Sequence, residues 1–68
     1  MTNTKLLREK IGQSGYKLRF VAEKVGITYQ GFLNKLNNRS DFRANEIQIL
    51  YDLLGLTEEE RVAIFFAC

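Results

Sequence analysis

The sequence predicts an all-α protein, a compact five-helix bundle formed by one domain over residues 1–68. Three observations carry that prediction. Apolar residues recur at spacings of three and four in successive segments, as in Leu18, Val21, Ala22 and Val25, the signature of one helix face. Proline is absent, and Gly12, Gly15, Gly26 and Gly55 fall at segment ends as punctuation. Helix-start chemistry precedes several segments, most clearly in Thr57-Glu58-Glu59-Glu60, a capping box with acids where the helix dipole favours them.

The first helix is expected over about Asn3 to Gln13, capped by Asn3 or Thr2, with Leu7 and Ile11 as its apolar pair and Leu6 widening the stripe. Lys5 and Glu9 can pair across one turn. Gln13-Ser14-Gly15 reads as a loop, and Tyr16 is positioned to staple the start of the second helix. That helix runs from Leu18 to Val25, with Ala22 small where a partner must cross closely. Phe20 lies off its main stripe and is expected to be partly covered by a neighbouring helix. Gly26 takes the left-handed position just past the helix, Ile27 plugs the turn, and Thr28 caps a third helix of about Thr28 to Leu36. Phe32 and Leu36 face inward there, Leu33 turns toward the fourth helix, and Tyr29, Gln30 and Asn34 are left outward. Asn37-Asn38-Arg39-Ser40-Asp41 is a polar loop, and Phe42 anchors it in the core. A fourth helix of about Ala44 to Leu54 carries two apolar stripes, Ile47-Leu50-Leu54 and Ile49-Leu53, and is therefore central. Gly55 ends it. The fifth helix follows Thr57, with Val62 and Phe65 or Phe66 as its buried face.

Composition narrows the function classes. A chain of 68 residues buries only about 60% of its unfolded surface and has little room for a substrate cavity. It has no His and a single Cys, the last residue Cys68, so imidazole catalysis, metal sites and internal disulfides are not expected. No glycine-rich phosphate loop is present. Catalytic residues, metal, cofactor and small-molecule substrate are accordingly all expected to be none. No run approaches the roughly 20 apolar residues of a membrane span, and the polar, basic start MTNTKLLREK has no signal-peptide core, so a cytoplasmic location without membrane contact is expected. Residues 1–43 carry nine cations against three anions, +6, while residues 44–68 carry one cation against five anions, −4. A basic half that contains the helix pair is the footprint of a polyanion binder with one working face.

Two helices joined by a short Gly-containing turn form the helix-turn-helix pattern. The stretch LRFVAEKVGITYQGFLNKL resembles the DNA-binding motif of phage Cro and repressor proteins, the XRE family, at Val21-Ala22, Gly26-Ile27, Thr28 and Phe32. The chain as a whole resembles the short Cro-like regulators of that group. The resemblance implies the lambda-repressor-like DNA-binding fold and a sequence-specific transcriptional regulator acting at a phage or prophage operator. It departs from the family at Lys17 and Leu18, where Ser or Thr and a polar residue such as Gln are usual.

In this geometry the N-terminal residues of the second helix of the motif meet base edges in the major groove. Those residues are Thr28, Tyr29 and Gln30, with Asn34 one turn on; Gln and Asn amides can bond bidentately to adenine. Carry-over from the family gives phosphate contacts to Asn37, Asn38 and Arg39. Lys17 and Arg19 would hold the backbone before the recognition helix, and Lys35 and Arg43 are further candidates. Gly31 within a helix is about 1 kcal/mol less favourable than Ala, which implies close backbone approach, to the second helix or to DNA. A homodimer would engage half-sites roughly 34–36 Å apart, with Val62, Phe65 and Phe66 as candidate dimer contacts. Two other roles use the same fold: a protein-binding antirepressor of a cognate phage repressor, and an antitoxin.

Overall fold

The computed structural model describes residues 2–66. They form five helices and no strand: α1 (Thr4–Ser14), α2 (Leu18–Val25), α3 (Tyr29–Leu36), α4 (Ala44–Leu54) and α5 (Glu58–Phe65). The radius of gyration is 10.6 Å, close to the roughly 11 Å of a packed domain of this length. The expected helix limits hold to within a residue or two. No helix among the described residues is long and apolar enough to cross a membrane. Met1 and Cys68 lie outside the described residues.

Local chemistry sets the boundaries. The Asn3 side chain accepts from the Leu6 amide at 3.1 Å and starts α1. Thr28 and Thr57 do the same for α3 and α5, accepting from Gly31 and Glu60; the Glu60 carboxylate returns a bond to the Thr57 amide at 2.9 Å. Lys17 offers α2 no side-chain cap. The turn after α2 is a Schellman motif: the Gly26 amide reaches the Glu23 carbonyl and the Ile27 amide the Ala22 carbonyl, both at 3.1 Å, with Gly26 at φ 88°. A Cβ on Gly26 would meet no neighbour, so its backbone angle, not space, is what calls for glycine.

α1, α2, α3, α4 and α5 close around one core of Leu7, Ile11, Val21, Ala22, Val25, Phe32, Leu36, Phe42, Leu50, Leu56, Ile64 and Phe65. Phe42 is its hinge pin. Its ring meets Phe32 edge-on at 6.2 Å and Phe65 edge-on at 5.7 Å, a favoured aromatic geometry. It thus fastens the α3–α4 loop to α3 on one side and α5 on the other. α2 packs against α3 and α4, and α1 against α4 and α5. The Asn3 amide bonds the Ile64 carbonyl, and Lys10 pairs with Glu60.

Three expectations are corrected. α5 buries Ile64 and Phe65, while Val62 is 45% and Phe66 54% exposed. Phe65 is therefore a core residue, and only Val62 and Phe66 of the three candidate dimer contacts reach the surface. Phe20 lies 37% exposed, its ring centroid 4.9 Å from that of Tyr16. Around Gly31, a Cβ would meet only the Thr28 hydroxyl, at 3.0 Å, and nothing of α2. Finally, Lys5 and Glu9 form no ion pair among the described residues.

Candidate nucleic-acid interface

The candidate base-reading residues sit on α3, whose inner face is fixed by Phe32 and Leu36. Helical spacing then turns Gln30 and Asn34 to the opposite side, where Gln30 is exposed and Asn34 half-buried. They are one turn apart, and Gln30 Nε2 donates to Asn34 Oδ1 at 3.1 Å. Neither side chain bonds any other described group. The pair leaves the Gln30 carbonyl and the Asn34 amide hydrogens free for a ligand, with each side chain holding the other's conformation. Gly31 lies beside them and adds no side chain to the ridge, so a ligand can come close to the backbone there.

Thr28 occupies the start of the helix, exposed, its hydroxyl oxygen bound to the Gly31 amide at 3.0 Å. The hydroxyl hydrogen remains available to donate. Tyr29 is less outward than its position suggested. It is half-buried, and the Arg19 guanidinium carbon lies 4.1 Å from its ring centroid. Such a cation–π contact contributes about 0.5–1 kcal/mol at an exposed site. It ties the first turn of α2 to the first turn of α3 and holds Arg19 beside the ridge.

The C-terminal end of α3 is equally ordered. The Arg39 amide reaches the Asn34 carbonyl at 2.8 Å and the Asn38 amide the Lys35 carbonyl at 3.2 Å, a second Schellman turn. Asn38 supplies the left-handed residue at φ 59°, a conformation asparagine tolerates well. Asn37, Asn38 and Arg39 are exposed. Asn37 Oδ1 accepts from Arg8 Nη2 at 3.0 Å, which brings a cation of α1 to the end of α3.

Lys35 departs from its expected phosphate role. Its ammonium bonds Glu46 Oε1 at 2.7 Å and the Asp41 carbonyl at 3.0 Å, and it lies 5.8 Å from the Phe42 ring centroid. Only 12% of its side chain is exposed, and 6% of the Glu46 side chain. Glu46 Oε1 also accepts from the Arg43 amide at 2.8 Å, starting α4 from inside the helix. Burial pushes the Glu46 carboxyl up, but the Arg43 amide and the Lys35 ammonium outweigh it and hold the group below the ordinary carboxylate range. This cluster clamps the last turn of α3 to the first turn of α4.

The remaining cations divide cleanly. Lys10, Lys35 and Arg61 are paired, with Glu60, Glu46 and Glu58. Lys5, Arg8, Lys17, Arg19, Lys24, Arg39 and Arg43 form no ion pair among the described residues. The basic surplus of the first 43 residues therefore stays on the surface.

Glu46, Arg8 and the Tyr16–Phe20 stack were not singled out as partners from sequence. Glu46 had a usable signal, since it lies three residues after the start of a helix, where a carboxylate bonds back to the cap amide. Arg8 and Asn37 are 29 residues apart and have none. The described residues open no pocket and hold no cluster of three or more metal-ligating side chains. Comparison of the chain with protein-family models, curated proteins and solved structures finds no match.

Proposed function

We propose that the protein is a sequence-specific DNA-binding regulator of the helix-turn-helix type, with α3 as the helix that enters the major groove. One observation carries this reading. Gln30 and Asn34 form a hydrogen-bonded polar ridge that the fold does not otherwise use, flanked by unpaired Arg19 and Lys17 before it and Arg39 after it. A ridge of amides between cations fits the division of labour at a duplex, where phosphate contacts position and base contacts choose.

In this reading Gln30 and Asn34 read base edges, Thr28 and Tyr29 assist at the groove wall, and Lys17, Arg19, Asn37, Asn38, Arg39 and Arg43 bind the backbone. Lys35 acts from behind, by holding α3 at its angle to α4. The resemblance to Cro-like proteins suggests a phage or prophage operator as the target and repression or switching of a promoter as the outcome.

The test is selection of bound sequences from a random duplex pool, followed by titration of the winner at several salt concentrations. Gln30→Ala and Asn34→Ala are each expected to weaken the selected site by about 1–3 kcal/mol, roughly 5- to 150-fold, and to relax choice at one base pair. Absence of duplex binding at low salt, or unchanged selectivity in both variants, would overturn the reading. Capture of a cognate repressor by protein that binds no DNA would replace it with the antirepressor role.

A further inference from the structure

Four large apolar side chains are exposed among the described residues, Tyr16, Phe20, Val62 and Phe66, and they fall into two separate patches. One is at the start of α2, where Tyr16 and Phe20 are 39% and 37% exposed, their ring centroids 4.9 Å apart. The Lys24 ammonium lies 5.4 Å from the Phe20 centroid, and Lys17, Phe20 and Lys24 stand at i, i+3 and i+7 along one line. The other patch is on α5, where Glu59, Val62 and Phe66 stand at the same three spacings and all are exposed. Arg61, whose guanidinium lies 5.4 Å from the Phe66 centroid, is already held by Glu58. Glu59 is in no ion pair among the described residues.

The two stripes are complementary in kind. The first is the Tyr16–Phe20 stack, bordered by Lys17 and Lys24 with Glu23 as the acid beside them, and the second is the Val62–Phe66 line, which begins at the unpaired Glu59. A stripe with Lys24 beside Phe20 repels its own copy and attracts the α5 stripe, and the converse holds for Glu59. We propose that copies of this chain associate head to tail, the Tyr16–Phe20 patch of one copy seating the Val62–Phe66 stripe of the next, with Lys24 facing Glu59. Such a contact joins two different surfaces, so each bound copy still presents one free patch of each kind, and association continues unless the rotation closes a ring. Neither patch includes Gln30 or Asn34, and Lys17, at the edge of the first patch, is the one residue shared with the proposed phosphate contacts.

The experiment is sedimentation equilibrium of the full chain over a wide concentration range, in reductant so that the Cys68 thiol does not cross-link copies. Wild-type protein is expected to rise in average mass past the dimer. Phe20→Ala and Phe66→Ala, both at exposed positions, should each remain monomeric with unchanged far-UV circular dichroism. Mixed in equal amounts they should form a dimer that does not grow, because each variant keeps the patch the other lacks. Lys24→Glu and Glu59→Lys should each stay monomeric alone, and their mixture should grow like the wild type, because it restores both contacts, one of them with the charges reversed. A monomeric wild type would overturn the proposal. So would a dimer abolished by Phe66→Ala, untouched by Phe20→Ala and not restored by mixing, the pattern of a symmetric α5 contact.

Discussion

Replacing Lys35 with Met removes the ammonium that joins α3 to α4 while keeping most of the side-chain volume. The Glu46 carboxylate then stays 4% exposed with only the Arg43 amide as partner. A charge-assisted hydrogen bond contributes about 1.5–3 kcal/mol, and breaking a fully enclosed pair costs about 3–5 kcal/mol. This pair keeps an edge on solvent, with 12% and 6% of the two side chains exposed, so about 2 kcal/mol is expected. A domain of 68 residues has a total stability of about 3–10 kcal/mol, so the loss is a large share and lowers Tm by about 8–16 °C. Glu46→Gln alone leaves the Lys35 ammonium beside Phe42 with weaker acceptors and is also expected to destabilise. The double variant removes both charges and should be less destabilised than the two singles added together, by about 1–2 kcal/mol. Urea unfolding followed by circular dichroism measures all four proteins. The pair also sets a pH dependence. Glu46 titrates lower folded than its ordinary 4.5, so the folded state binds fewer protons there and stability rises with pH. The contribution is complete above that ordinary value and is lost as pH falls through the depressed folded value; in Lys35→Met it is smaller, because the Lys35 ammonium no longer helps hold the Glu46 carboxyl down against its burial. A Lys35→Met protein within 0.5 kcal/mol of wild type, or strictly additive singles, would refute the clamp.

Other substitutions separate the parts. In DNA titrations, Arg39→Ala should lower the slope of log affinity against log salt by about 1 and weaken all duplexes alike, whereas Lys35→Met, whose ammonium already has partners, should leave that slope unchanged. Thr28→Ala removes the α3 cap and should destabilise by about 1 kcal/mol in thermal melts. Gly26→Ala forces a Cβ into the left-handed region and should cost about 1–2 kcal/mol by the same measurement. Arg8→Ala frees Asn37 and should lower affinity for DNA with little change in Tm, a split that a purely structural role would not give.

The helix pair was readable because its signals are local. Gly26, Ile27 and Thr28 each act on backbone groups within five residues, and those bonds form as the residue types predict. The outward placement of Gln30 and Asn34 followed from Phe32 and Leu36 alone. What stayed hidden depends on angles between helices. Lys35 and Glu46 are 11 residues apart across an irregular loop, and only the seating of Phe42 between α3 and α5 brings them together. α5 misled for a different reason. Val62, Ala63, Ile64, Phe65 and Phe66 form an unbroken apolar run, so periodicity cannot pick its inner face. Ile64 and Phe65 face inward where α5 meets the rest of the fold, at α1 through the Asn3–Ile64 backbone bond and the Lys10–Glu60 pair, and at Phe42 through the Phe65 ring.

The proposed head-to-tail association and the proposed base reading by α3, taken together, have a consequence for the DNA. A symmetric dimer turns its two recognition helices about a two-fold axis and requires inverted half-sites. A heterologous contact repeats one operation from copy to copy, so successive α3 ridges meet the duplex in the same sense. Sites recovered from a random pool by wild-type protein should then be direct repeats. Phe66→Ala keeps Gln30, Asn34 and every flanking cation, so it should recover the same half-site singly, with the repeat lost. Inverted repeats from the wild-type protein would sink the head-to-tail contact and leave α3 as the reader. Direct repeats that persist in Phe66→Ala would mean that DNA, and not the α5 stripe, sets the spacing of the copies.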